Sequence, residues 1–122
     1  MDLSAPYEQK RRICLEAIKE VESSGQYHAM SWSFQEFGAY KFNNEIWREI
    51  VSKETLEIYP TAKDAPKHIQ DEAAQIYFDK LHKHFGNATD TVRAWKVGVG
   101  EAKADGFAGR DYLKKVNSAL KK

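Results

Sequence analysis

A mainly α fold is what this sequence predicts, and three observations predict it. Apolar residues recur at three- and four-residue spacing through several segments, with charged residues filling the other positions. Gly, Pro, Asn and Ser fall at intervals that suit helix ends. The alternation Ala39-Tyr40-Lys41-Phe42, set among scattered Ser and aromatic residues, is too short to assign a sheet. At 122 residues the expectation is one compact domain of five to six helices, 1–122.

In order, Ser4 is placed to cap a first helix, with Pro6 tolerated in its first turn. Ile13, Ala17, Ile18 and Val21 carry that helix to about residue 22, and Ser23-Ser24-Gly25 ends it, with Gly25 a left-handed cap. From Gln26 to Phe42 the helical period is lost, and a loop or short irregular hairpin is expected. Asn43 then caps a second helix through about Lys53, with Ile46, Trp47, Ile50 and Val51 facing in.

Tyr59 to Pro66 reads as a turn-rich connector. Pro66 starts a long helix to about Phe85, whose apolar face is Ile69, Ala73, Ile76, Tyr77, Phe78, Leu81 and Phe85. Gly86-Asn87 stops it. Thr89 or Asp90 caps a short helix with Val92, Ala94 and Trp95, broken at Gly98-Val99-Gly100. Residues 101–109 are expected as loop with at most one helical turn. A last helix runs from Asp111 to about Lys121 on Tyr112, Leu113, Val116 and Leu120.

Composition narrows the function classes. A net charge of +1 gives no case for nucleic acid or an acidic membrane surface. Lys114, Lys115, Lys121 and Lys122 read as a solvated helix end that suits the macrodipole. A single cysteine, Cys14, excludes an intrachain disulfide and a cysteine zinc site, and its place in a helical stripe makes it a packing residue. His68, His82 and His84 lack metal-ligand spacing, so no metal or cofactor is expected. No window is long and apolar enough for stable membrane insertion, and Met1 to Arg12 lacks an apolar signal core. Synthesis in the cytoplasm without its own export signal is the expectation.

One carboxylate stands out. Glu22 follows Val21 at a helix end and opens a loop holding many of the chain's 3 Trp, 6 Tyr and 6 Phe. Burial beside apolar surface keeps a carboxyl protonated near neutral pH, the state a general acid needs. The rival reading is a solvated surface glutamate, although a negative charge there opposes the helix dipole. Trp32 and Phe34 are read as substrate contacts or core packing. Nucleophilic Ser or Cys catalysis has no base at recognisable spacing.

The order Glu22-Ser23-x-Gly25, Gly38-Ala39-Tyr40-Lys41-Phe42, Ala94-Trp95-Lys96-Val97-Gly98-Val99-Gly100 and Asp111-Tyr112-Leu113-Lys114-Lys115-Val116 resembles lytic transglycosylases of the lysozyme-like superfamily. The likeness is to the small phage and secretion-system members and covers roughly residues 13–117. Three positions depart from that pattern: Lys41 stands for a groove glutamine, Lys96 for an asparagine and Trp95 for a tyrosine.

The resemblance implies a lysozyme-like domain that cleaves the β-1,4 bond between N-acetylmuramic acid and N-acetylglucosamine in peptidoglycan, leaving 1,6-anhydro ends. Glu22 would be the catalytic acid and then base. Ser23, Gly38, Tyr40, Lys41, Trp95, Lys96 and Tyr112 would bind the glycan strand. Glu36, or Glu45, is the candidate second carboxylate of a hydrolysing lysozyme.

A phage-encoded enzyme of lysis or wall penetration is the leading expectation. It would be a monomer when free, acting at the bacterial cell wall with virion or secretion-apparatus proteins as partners. The rivals are a muramidase, a non-catalytic glycan-binding or virion module on the same fold, and a helical protein-interaction domain.

Overall fold

The structure is a computed structural model and describes residues 5–120. The expected cap Ser4 and the basic pair Lys121 and Lys122 lie outside the described residues. The fold is mainly α: seven α-helices and one two-stranded sheet occur among the described residues. The helices are α1 (Tyr7–Ser23), α2 (Asn44–Ile50), α3 (Lys53–Ile58), α4 (Lys67–Phe85), α5 (Ala88–Val97), α6 (Val99–Ala104) and α7 (Arg110–Leu120). Strands β1 (Glu36–Phe37) and β2 (Phe42–Asn43) pair antiparallel, Glu36 opposite Asn43 and Phe37 opposite Phe42. No helix among the described residues is long and apolar enough to cross a membrane.

The count exceeds five to six for a local reason. The helix expected to reach Lys53 stops at Ile50, and the Ser52 side chain caps a new one by accepting the Thr55 amide. Val99–Ala104 forms a short helix that begins inside the expected break and takes in the single turn allowed for in 101–109, because Gly98, at φ +88°, turns the chain and restarts it. Asn43 caps α2 as expected, accepting the Ile46 amide at 2.8 Å. The cap of α5 is Asn87, accepting from Asp90, rather than Thr89 or Asp90 itself.

The chain divides into two compact units, with both boundaries inside helices. One joins Met1–Val21 to Tyr77–Lys122, and the other is the intervening Glu22–Ile76.

In the first unit α5 packs against α6 and α7. Tyr77 meets Trp95 edge-on, ring centroids 4.9 Å apart. Cys14, Ile18, Phe78, Ala94 and Val116 are buried. Burial pushes the Cys14 thiol pKa above its ordinary value. A buried arginine ties three segments together: Arg93 donates from Nε to the Ala108 carbonyl at 2.8 Å, from Nη2 to the carbonyls of Ala102 and Asp105, and from Nη1 to Asp90 at 2.8 Å. On α1, Tyr7 and Arg11 both donate to the Asp79 carboxylate, at 2.5 and 2.7 Å.

In the second unit Trp47 is fully buried and its indole N–H donates to the Tyr59 carbonyl at 2.8 Å. Phe42 lies between Tyr40 and Trp47, with centroids 6.0 and 6.1 Å away. On α4 the expected inner residues Ala73, Tyr77, Phe78 and Leu81 are buried, and the departures are Gln70 and Ile76. Gln70 is 0% exposed and Ile76 is 45% exposed. Ile69 and Ile76 instead line a shallow hollow of about 160 Å³ with Ile50, Val51, Thr55 and Ala73.

Candidate functional site

Glu22 occupies the last turn of α1 and is half-buried. The helix stops because Ser24 and Gly25 both adopt left-handed backbone, φ +55° and +81°. Ser23 anchors the turn at this helix end. Its hydroxyl donates to the Ala39 carbonyl at 2.8 Å and accepts the Gln26 amide at 3.1 Å. The hydroxyl proton of Ser23 thus goes to the backbone of the β1–β2 loop, which makes Ser23 a positioning residue for the segment that carries Glu22.

That loop is held from below by Gln70. Its Oε1 accepts the Ala39 amide at 2.9 Å, and its Nε2 donates to the carbonyls of Tyr27 and Ala65 at 2.9 and 2.8 Å. Every hydrogen-bonding atom of this buried amide is thereby satisfied, which low-dielectric surroundings demand. Gly38 is required by the same arrangement. It sits at φ +85°, and a Cβ there would lie 2.5 Å from Gln70 Oε1.

Next to this knot, Asp71 Oδ1 accepts from the hydroxyls of Tyr27 and Tyr40, at 2.7 and 2.8 Å. Tyr40 is 3% exposed, its ring centre 6.0 Å from that of Phe42, and its hydroxyl is already engaged. Lys41 closes the turn, its amide donating to the Gly38 carbonyl at 3.2 Å, with left-handed backbone at φ +55°. Glu36 is half-buried in β1, its amide donating to Ser31 Oγ at 3.1 Å. Ser23, Gly38 and Tyr40 therefore belong to one hydrogen-bonded assembly built around Gln70 and Asp71.

Trp95, Lys96 and Tyr112 lie in the other unit. Trp95 and Tyr112 are buried, at 8% and 6% exposure. Lys96 is exposed, its ammonium 5.8 Å from the Tyr112 ring centre, a cation–π distance. The aromatic surface open to water is elsewhere. Trp32 is 98% exposed and Phe34 68%, so neither packs on the core.

The residues that sequence reasoning missed are Gln70, Asp71, Tyr27 and Arg93. A signal for Gln70 existed: it lies four and seven residues before Ala74 and Tyr77, in phase with the buried stripe. Among the described residues no group of three or more His, Cys, Asp or Glu is placed to hold a metal. His82 stacks on Phe78 with centroids 6.2 Å apart, while His68 and His84 are exposed. The chain was compared with protein-family models, with curated proteins and with solved structures, and it matches none of them.

Proposed function

We propose that the chain is a peptidoglycan lytic transglycosylase in which Glu22 is the catalytic acid and base. The observation that carries the reading is the setting of Glu22. It is half-buried at the end of a long helix, and Ser23 bonds the next residue to the loop that holds Gly38 and Tyr40. The ordered resemblance of the Glu-Ser, Gly38 and Gly98-Val99-Gly100 segments to that family supports the same role.

In this mechanism Glu22 protonates the glycosidic oxygen as the leaving sugar departs. It then removes the proton from the muramoyl 6-hydroxyl, whose oxygen attacks C1 and closes the anhydro ring. No water enters, and the substrate's acetamido group can stabilise the cationic centre, so one carboxylate suffices. A phage or virion setting belongs to the same proposal.

A second reading, a glycan-binding module without cleavage, is favoured by one finding: Tyr40, Trp95 and Tyr112 are all buried, at 3%, 8% and 6% exposure, and offer little ring surface to a sugar. Incubating purified sacculi with the protein and with Glu22→Gln separates the readings. Anhydro-muropeptides released only by the unaltered protein are expected. Reducing-end products would indicate a hydrolase, and release by both proteins would remove Glu22 from the chemistry.

A further inference from the structure

Trp32 and Phe34 are 98% and 68% exposed, whereas Trp47 and Trp95 are 0% and 8% exposed. Two large rings left in water on neighbouring positions of one short turn are uncommon on a surface without a partner. The turn that bears them is built, not loose. The Phe34 amide donates to the Ser31 carbonyl at 3.0 Å, and the Ser31 amide to the Glu36 carbonyl at 2.9 Å. Ser31 Oγ accepts the Glu36 amide and pairs with Ser33 Oγ, both at 3.1 Å. Phe34 itself is held at φ +58°, and Met30 bridges Phe37 at the base. The backbone is therefore ordered before any ligand arrives, which lowers the entropy cost of binding.

The chemistry around the rings selects the ligand. Ser31, Ser33 and Gln35 place hydroxyl and amide groups between and beside the aromatics, and Glu36 is the sole charge from Ala29 to Tyr40. An anionic lipid surface is drawn by clustered Lys and Arg, which this segment lacks. A protein hot spot lies at the centre of a well-packed, desolvated patch, and in the run from Ala29 to Gln35 only Met30, 43% exposed, adds large apolar surface beside the two rings. A sugar ring combines an apolar C–H face with a rim of hydroxyls, and both halves have counterparts on the turn.

We propose that the Ser31–Phe34 turn is a stacking platform for neutral β-1,4-linked N-acetylhexosamine units, carried by Trp32 and Phe34. The inference rests on the reading of the chain as a protein of glycan strands but not on catalysis by Glu22.

Titration of the full chain with the β-1,4-linked tetramer of N-acetylglucosamine tests it, followed by tryptophan emission. Trp32 is the one water-exposed indole, since Trp47 and Trp95 are buried. A blue shift is expected in the unaltered protein and in Glu22→Gln. Trp32→Ala should abolish the shift and weaken binding about tenfold by calorimetry, with an unchanged thermal midpoint because the side chain is exposed. Phe34→Leu should weaken it less.

Equal affinity of the Trp32→Ala, Phe34→Leu double variant and the unaltered chain would overturn the platform, as would no tetramer binding at all. An emission shift produced by phosphatidylglycerol vesicles and not by the tetramer would overturn it too. Sacculus cleavage is scored separately: cleavage with unchanged KM in Trp32→Ala refutes the platform while sparing Glu22. Trp32-dependent binding without cleavage supports the platform and refutes the catalytic role.

Discussion

Gln70 and Gly38 are matched by exclusion: the Oε1 of Gln70 occupies the space that a Cβ at residue 38 would need, 2.5 Å away. The same oxygen accepts the amide of Ala39, the residue whose carbonyl receives Ser23 Oγ. A buried side chain of α4 thus sets the height of the β1–β2 loop, and through Ser23 the end of α1. Gly38→Ala adds left-handed strain and displaces a buried hydrogen bond, so a loss of about 3 kcal/mol is expected in urea unfolding. Gln70→Ala alone leaves the Ala39 amide and the Tyr27 and Ala65 carbonyls without their partner. The double variant should lose less than the sum of the two single losses because the obstructing oxygen is gone; strict additivity would contradict the coupling.

The paired tyrosines on Asp71 make a separate prediction. Tyr40→Phe and Tyr27→Phe each remove one hydroxyl donor, and each should cost about 1 kcal/mol. In an Asp71→Ala background neither should cost more than a few tenths. A full penalty there would show that the hydroxyls act through some other partner.

Arg93 carries the largest expected stability effect. Arg93→Met strips donors from the carbonyls of Ala102, Asp105 and Ala108 and should destabilise by about 3–5 kcal/mol. The acid limb of stability should change with it. Hydrogen bonds from Asn87 and then Arg93 hold the Asp90 carboxyl below the usual carboxylate range. The folded chain therefore binds that proton less readily than the unfolded one. The stabilisation is complete above the ordinary value near about pH 4 and is lost as pH falls through the lower folded value. Thermal midpoints measured down to acid pH should show that loss in the unaltered protein and a weaker one in Asn87→Ala; equal slopes would refute the assignment.

For Glu22 the expected signature is kinetic. Glu22→Gln keeps the shape and removes the transferable proton, so release of anhydro-muropeptides should fall by about two orders of magnitude or more. Circular dichroism should stay unchanged. A fall below tenfold in a folded variant would contradict the acid role.

Much of the architecture could be read from spacing alone. The ends of α1, α2 and α4 follow from Gly25, Asn43 and Gly86, because left-handed glycine and asparagine caps act over three or four residues. Cys14 is buried in the stripe where its phase places it, at 1% exposure. The break at Ser52 was hidden because Val51 continues the apolar rhythm of α2, and only the cap geometry shows that a new helix begins. Of the candidate residues, Ser23, Gly38 and Tyr40 fall into one assembly, but its centre, Gln70, carries no motif. A buried amide is legible only through the three backbone groups it satisfies, and those come from Tyr27, Ala39 and Ala65, far apart in the chain. The exposure of Trp32 and Phe34 was equally illegible, since an aromatic in a turn reads the same whether it faces water or core.

The order of segments has a consequence for synthesis. The unit Glu22–Ile76 is contiguous, while its counterpart needs residues from before Val21 and after Tyr77. A ribosome releases the chain from its start, so the Gln70 knot and its hairpin can assemble on the nascent chain. Residues 7–21 of α1 must wait until the rest of their unit, from Tyr77 onward, has emerged. Leu15 and Ile18, buried in the folded chain, are the apolar side chains of that helix left longest without their full cover.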